Sequence, residues 1–182
     1  VEFIHADLFE KIFKENYFDV VFSNGVLHHT KNAYGGFKNI IRYVKKDGYV
    51  IIGLYNKYGR LRTLVRRFFF KIFGEKFVKI FDPVLRNKIK KSRSAEEAWI
   101  NDQYMHPVES LHTLSEVIGW FNENNIEFIS SIPKCSPNEI DNIFEKQSKG
   151  DIFTRLFAEV YSIFTNIGSD GGLFFVVGKK NE

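Results

Sequence analysis

The chain has 182 residues, 44% apolar and 26% charged, with 20 phenylalanines and a formal net charge of +4. That length supports one domain with a sizeable core, and the composition excludes a disordered or low-complexity chain. The single cysteine, Cys135, rules out an intrachain disulfide and favours a reducing, cytoplasmic compartment. No apolar run nears the ~20 residues needed to cross a bilayer.

Residues 1–5 alternate in polarity and read as a strand that Ala6-Asp7 ends. Because Val1 falls in mid-strand, the expectation is a piece of a longer chain. Residues 8–16 form a connector. Residues 18–22 read as a second strand whose Val and Phe content predicts burial on both faces. From Ala33 the period lengthens: Ala33, Phe37, Ile40, Ile41 and Val44 share one helical face, with Lys45 and Lys46 in the last turn and Gly48 as the stop. Residues 49–54 make a third strand, so the unit is a strand–helix–strand crossover, right-handed and parallel.

Leu61, Leu64, Val65, Phe68, Phe69, Ile72 and Phe73 then form an apolar helical stripe, with Arg62, Arg66, Arg67 and Lys71 largely opposite. A basic connector follows at 88–93. Thr113-Leu114-Ser115-Glu116 is a capping-box pattern, opening a helix that turns Leu114, Val117, Ile118 and Phe121 inward and ends at Asn124-Asn125. Residues 126–130 read as a strand, and a polar loop holds Pro133 and Pro137. The next helix is expected to bury Phe153, Leu156, Phe157, Val160, Tyr161 and Phe164. Turn residues at 168–172 precede a last strand, 173–177.

Chemistry is expected at Phe18-Asp19-Val20-Val21-Phe22-Ser23-Asn24-Gly25-Val26-Leu27-His28-His29-Thr30. A strand breaks at Ser-Asn-Gly and hands over to a histidine-bearing turn, the layout that places a ligand beyond the carboxyl end of a strand in an open α/β sheet. A neutral imidazole there can take a proton from an O–H or C–H group. Adjacent histidines on one turn rarely chelate one metal, and no Cys or carboxylate cluster accompanies them, so no metal is expected. Tyr55 and Asn56 follow the third strand and read equally as substrate contacts or a plain turn. Tyr104 and His106, ahead of Pro107, are candidates for a substrate lid. His112 reads as structural, and Cys135 shows no sign of being a nucleophile.

Four features occur in order: a strand closing on Ile4-His5-Ala6-Asp7, the Phe18-Asp19-Val20-Val21 strand, the Leu27-His28-His29 turn, and a lysine-rich turn with Gly48 leading into a strand. Together they resemble the second half of a class I S-adenosylmethionine-dependent methyltransferase. The resemblance implies an α/β fold with a Rossmann-like methyltransferase sheet, incomplete at the N-terminal side. It also implies a single partial domain over 1–182, a helical lid insertion at 57–112 and a C-terminal β-hairpin-like pair. Asp7 would accept from the adenine amino group of S-adenosyl-L-methionine, with the Leu8 N–H beside the ring. Ser23, Asn24, Gly25 and Val26 would pass under the methionine part and sulfonium, and His28 and His29 would lie near the transferred methyl. Two departures stand out: the family's glycine-rich turn and its ribose-binding acidic residue have no counterpart in this sequence. A smaller one is Asp47-Gly48-Tyr49 in place of Pro-Gly-Gly. The chain alone is therefore expected to hold the cofactor poorly and to be inactive.

The basic-aromatic helix of residues 60–81, which begins at Arg60 and closes on Phe81, has two readings. It is a lid over a substrate pocket, or it makes a peripheral membrane contact with its basic residues towards anionic headgroups. No nucleic acid is expected as a partner, because no recognition module accompanies the charge. The expectation is methyl transfer to a small, lipophilic or aromatic molecule. The alternative is a catalytically inactive module that binds a membrane or a protein partner through that helix.

Overall fold

Val50, Ile52 and Leu54 alternate inward along the strand at the middle of the fold, and each is almost fully buried. The computed structural model describes residues 1–87, 92–135, 142–164 and 172–181. Its elements are β1 (Phe18–Asn24), α1 (Ala33–Ile41), β2 (Val44–Tyr55), α2 (Leu61–Phe73), α3 (Glu75–Phe81), α4 (Pro83–Asn87), α5 (Arg93–Ile100), α6 (Leu114–Glu123), β3 (Ile126–Ile132), α7 (Ile152–Tyr161) and β4 (Leu173–Lys180). The sheet order is β1-β2-β4-β3. β1 runs parallel to β2, and β4 is antiparallel to both β2 and β3. This is the expected parallel crossover followed by an antiparallel C-terminal pair, and the sheet is Rossmann-like.

One face of the sheet carries the core. Phe37, Ile40 and Ile41 of α1 and Leu114, Val117 and Phe121 of α6 pack on Val50, Ile52, Leu54, Phe174 and Val176. Burying each of the larger side chains contributes about 1.5–3 kcal/mol. Asn32 caps α1 by accepting from Gly35 N–H at 2.8 Å. The capping box on α6 forms as its sequence predicts, Thr113 accepting from Glu116 N–H at 3.2 Å.

Several expectations change. Residues 1–5 are not a strand: no described strand lies beside them, and Val1, Phe3 and Ile4 are exposed. A strand needs a ladder partner to satisfy its backbone. β1 is not buried on both faces, because it sits at the sheet edge with Val20 and Phe22 exposed and Val21 and Ser23 turned to the core side. α1 stops at Ile41. Val44, Lys45, Lys46 and Gly48 belong instead to β2, whose pairing with β1 jumps from Phe18↔Val44 to Val20↔Tyr49. Asp47, at φ 61°, makes that irregularity.

The 60–81 helix is two helices broken at Gly74 (φ 70°), joined across the break by Phe77, whose ring centroid lies 5.3 Å from that of Phe69 and 5.8 Å from that of Phe73. Between β2 and α6, residues Val78, Leu85, Ile100 and Tyr104 form a second small core. α7 and the turn after it present apolar residues outward: Phe153, Phe157 and Phe164 are at least 70% exposed, while Glu159 is buried. Most of the 88–93 connector, Pro137 and the 168–171 turn lie outside the described residues. Among those described, no helix is long and apolar enough to cross a membrane.

Candidate active site

The end of β1 builds the site from the backbone outward. Gly25 donates to Gly53 carbonyl at 3.1 Å and takes φ 71°, with nothing within 4 Å of where a side chain would be. That left-handed turn frees the chain from the ladder and leaves open space above the strand end. Ser23 is buried, whereas Asn24 and Val26 differ in role: Asn24 faces outward on the sheet, and Val26 leads into a short 3₁₀ turn, Leu27–His29.

The Asp7–Leu8 segment reaches the same end of α1. A side-chain carbon on Gly36 would meet Leu27 at 2.9 Å and Leu8 at 3.3 Å, so only glycine lets both leucines seat there. Buried Asn39, which sequence reasoning missed, holds the segment by donating to Leu8 carbonyl at 2.6 Å and Glu10 carbonyl at 3.1 Å. Asp7 is exposed. Its Oδ1 accepts from Phe9 N–H at 2.8 Å, and among the described residues its second oxygen has no hydrogen bond.

The two histidines of the turn differ. His28 is fully buried and its Nδ1 accepts from Tyr55 N–H at 3.2 Å. Burial, reinforced by His29 beside it, lowers its pKa to about 3. Its ring stacks on Tyr55 at 3.8 Å, and the Arg60 guanidinium lies 3.8 Å from the same ring centre. Two groups at that distance cannot share one face, so Tyr55 is sandwiched between them. His29 is less buried. Its Nδ1 is 3.1 Å from His106 Nδ1 and 3.2 Å from Val108 carbonyl, and its Nε2 is 3.5 Å from Asp102 Oδ1.

Two devices bring His106 to His29. A π-helical turn, Asn101–Met105, continues α5 and aims Asp102 and Gln103 at the site; such turns recur at functional sites. The segment after it is clamped by backbone bonds, Ser110 N–H to His28 carbonyl at 2.9 Å and His112 N–H to Tyr55 carbonyl at 2.9 Å. Beneath lies a charged network. Arg60, fully buried, donates to Glu109 through Nε (3.1 Å) and Nη2 (2.7 Å), and Arg67 donates to Glu109 at 2.7 Å. Burial alone would raise the Glu109 pKa, but the two guanidiniums outweigh it and hold it low. Gln103 accepts from Arg60, donates to Tyr55 hydroxyl at 2.8 Å and donates to Asp102 at 2.6 Å. Burial raises the Tyr55 pKa.

Other sequence candidates sit elsewhere. Asn56 is consumed structurally: it donates to buried Glu159 at 2.5 Å and accepts from Tyr58 and Gly59 N–H at 2.9 Å each. Tyr104 lies in the second core and donates to Asp82 at 2.6 Å, its pKa raised by burial. The structure thus gathers His28, His29, Tyr55 and His106 but turns Asn56 and Tyr104 away. Asp102, Glu109 and Arg60 join the site without a sequence signal beyond their charge, and Gln103 joins it without any. Among the described residues, no group of three or more His, Cys, Asp or Glu is placed to hold a metal ion.

The residues present fit one side of S-adenosylmethionine. The free Asp7 oxygen can accept from an adenine amine, and the open strand end at Gly25 admits the methionine part close to backbone. No glycine-rich turn or ribose-binding acid stands among the described residues to complete the grip.

This strand order with its flanking helices defines a Rossmann-like fold. Residues 1–52 match the methyltransferase domain family. The fold is similar to that of a methyltransferase in complex with the Trm112 methyltransferase activator of Haloferax volcanii, at TM-score 0.50 and 8% identity over 97% of this chain. A methyltransferase from Thermotoga maritima matches at TM-score 0.45 and 15% identity over 97% of this chain. The chain spans 60% of the first of these proteins and 62% of the second.

Proposed function

We propose that this chain is the acceptor-side half of an enzyme that transfers a methyl group from S-adenosylmethionine to a small, lipophilic or aromatic molecule. The observation that carries the reading is the convergence of His29, His106 and Tyr55 beside the open end of β1, where Gly25 clears the backbone. Bound there, S-adenosylmethionine supplies an electrophilic methyl. The chain's own residues orient the acceptor against it, Tyr55 as a rigid wall and the His29–His106 pair as the proton-accepting group. Buried, neutral His28 supports the wall rather than acting as the base.

The test uses the protein as encoded, with methyl-labelled S-adenosylmethionine and a panel of phenol, alcohol, amine and carbon acceptors. Label transfer to one class supports the reading, and none to any class overturns it.

A second reading is supported by α2, where Leu61, Val65, Phe68 and Ile72 form one exposed apolar stripe flanked by exposed Arg62 and Lys71. That arrangement suits a peripheral contact with an anionic bilayer. Co-sedimentation with anionic vesicles that survives Phe68→Ser plus Ile72→Ser, or that never occurs, removes it.

A further inference from the structure

The contacts of the His29–His106 pair fix where its protons sit. A carbonyl oxygen only accepts, and Val108 carbonyl lies 2.6 Å from His106 Nδ1, so that nitrogen carries the hydrogen. The Val108 amide, 3.3 Å from the same nitrogen, is the longer and weaker approach. The 3.1 Å contact between the two Nδ1 atoms needs one hydrogen; Val108 carbonyl approaches both nitrogens, His29 Nδ1 at 3.2 Å, and its much shorter contact gives the hydrogen to His106. His29 Nδ1 is then an acceptor, which places the hydrogen of neutral His29 on Nε2, facing Asp102. What remains is the lone pair of His106 Nε2, which has no hydrogen-bond partner among the described residues.

We propose that His106 Nε2 is the entrance of a proton relay running through His29 to Asp102, and that the acceptor is a hydroxyl or amine that loses a proton on methylation. This rests on the methyl-transfer reading. As the acceptor's lone pair forms its bond to the methyl carbon, the carbon–sulfur electrons stay on sulfur and the acceptor's proton passes to His106 Nε2. His106 Nδ1–H moves to His29 Nδ1, and His29 Nε2–H moves to Asp102. Asp102 is half-exposed and returns the proton to water. His106 is the catalytic residue of this step. His29 and Asp102 act through it and are positioning residues.

Gln103 anchors the far end. It binds Asp102 with its amide hydrogens while its oxygen takes Arg60, so the Arg60–Glu109 pair, 0% and 6% exposed, fixes where the carboxylate stands.

The test begins with nitrogen-15 spectra of the imidazoles in the wild-type protein at a pH where they are neutral. The expected result is His106 as the Nδ1–H tautomer, the less common form of free imidazole, and His29 as Nε2–H. His106 as Nε2–H overturns the relay, whatever the protein's activity. In the encoded protein, His106→Gln and Asp102→Asn are each expected to lower kcat with a hydroxyl or amine acceptor by about a hundredfold while leaving KM near its wild-type value. Wild-type kcat in both variants overturns the relay while leaving methyl transfer standing. Absence of turnover with every acceptor instead overturns the methyl-transfer reading, and with it the acceptor class, even if the tautomers are as expected.

Discussion

His28 Nδ1 accepts the backbone N–H of Tyr55 at 3.2 Å, inside a stack that excludes water. Burial makes charging the ring costly and His29 beside it adds to the cost, which is why its pKa falls to about 3. Between pH 3 and the ordinary histidine value the unfolded chain binds the proton and the folded one does not, so stability rises with pH across that window. Between pH 7 and pH 5 the contribution from His28 should fall by about 2 kcal/mol. Urea unfolding at both pH values measures it, and His28→Phe should flatten the difference. An equal loss in the variant would mean that other groups carry the acid sensitivity.

The Arg60–Glu109–Arg67 ladder is the most costly polar element to break. Glu109→Gln leaves two guanidiniums, 0% and 17% exposed, without a counter-charge. The expected loss is about 3 kcal/mol in chemical denaturation. Arg93→Ala, which removes an exposed ion pair with Glu97, should leave the midpoint unchanged.

Much of this architecture is legible in the sequence where local chemistry dictates it. The capping box at Thr113 and Glu116, the strand from Phe18 and the breaking of that strand at Ser-Asn-Gly depend on neighbours a few positions away. The helix expected to run through Val44 is misread because Val44 keeps helical spacing with Ile40 and Ile41, yet pairs with Phe18 in the sheet. The site's inner layer is illegible for a similar reason. Gln103 and Glu109 look like surface residues until the chain brings Arg60 and Arg67, 36 to 49 positions earlier, against them. His106 meets His29 across 77 positions, and no local pattern encodes that.

α7 shows how one buried carboxylate overrides an amphipathic pattern. Glu159 accepts from Leu114 N–H at 2.8 Å and from Asn56 at 2.5 Å, tying the helix to the first turn of α6 and the end of β2. Arg155 adds a bond to Ser115 at 2.9 Å. The helix therefore docks through its polar side and leaves Phe153 and Phe157 in the open. Glu159→Ala should cost about 1–3 kcal/mol, because Leu114 N–H and the Asn56 amide lose their acceptor. Phe157→Ser should leave the unfolding midpoint in place. A large loss with Phe157→Ser would mean that the ring is covered in solution.

Asp7 offers the sharpest test of the cofactor side, since its two oxygens have separate tasks. Oδ1 holds the turn by accepting from Phe9 N–H, and the second oxygen is free to meet an adenine amine. Asp7→Asn can keep the turn with its amide oxygen but then presents an NH₂ to the adenine NH₂, two donors facing each other. Calorimetric titration of the encoded protein with S-adenosylmethionine should show at least about a tenfold weaker Kd for Asp7→Asn, with the thermal midpoint unchanged. Asp7→Ala should weaken binding too, but it also removes the cap on Phe9 and should loosen the 7–10 turn. Equal affinity in wild type and Asp7→Asn would remove the adenine contact from this residue and leave the strand end at Gly25 as the cofactor-facing feature of the chain.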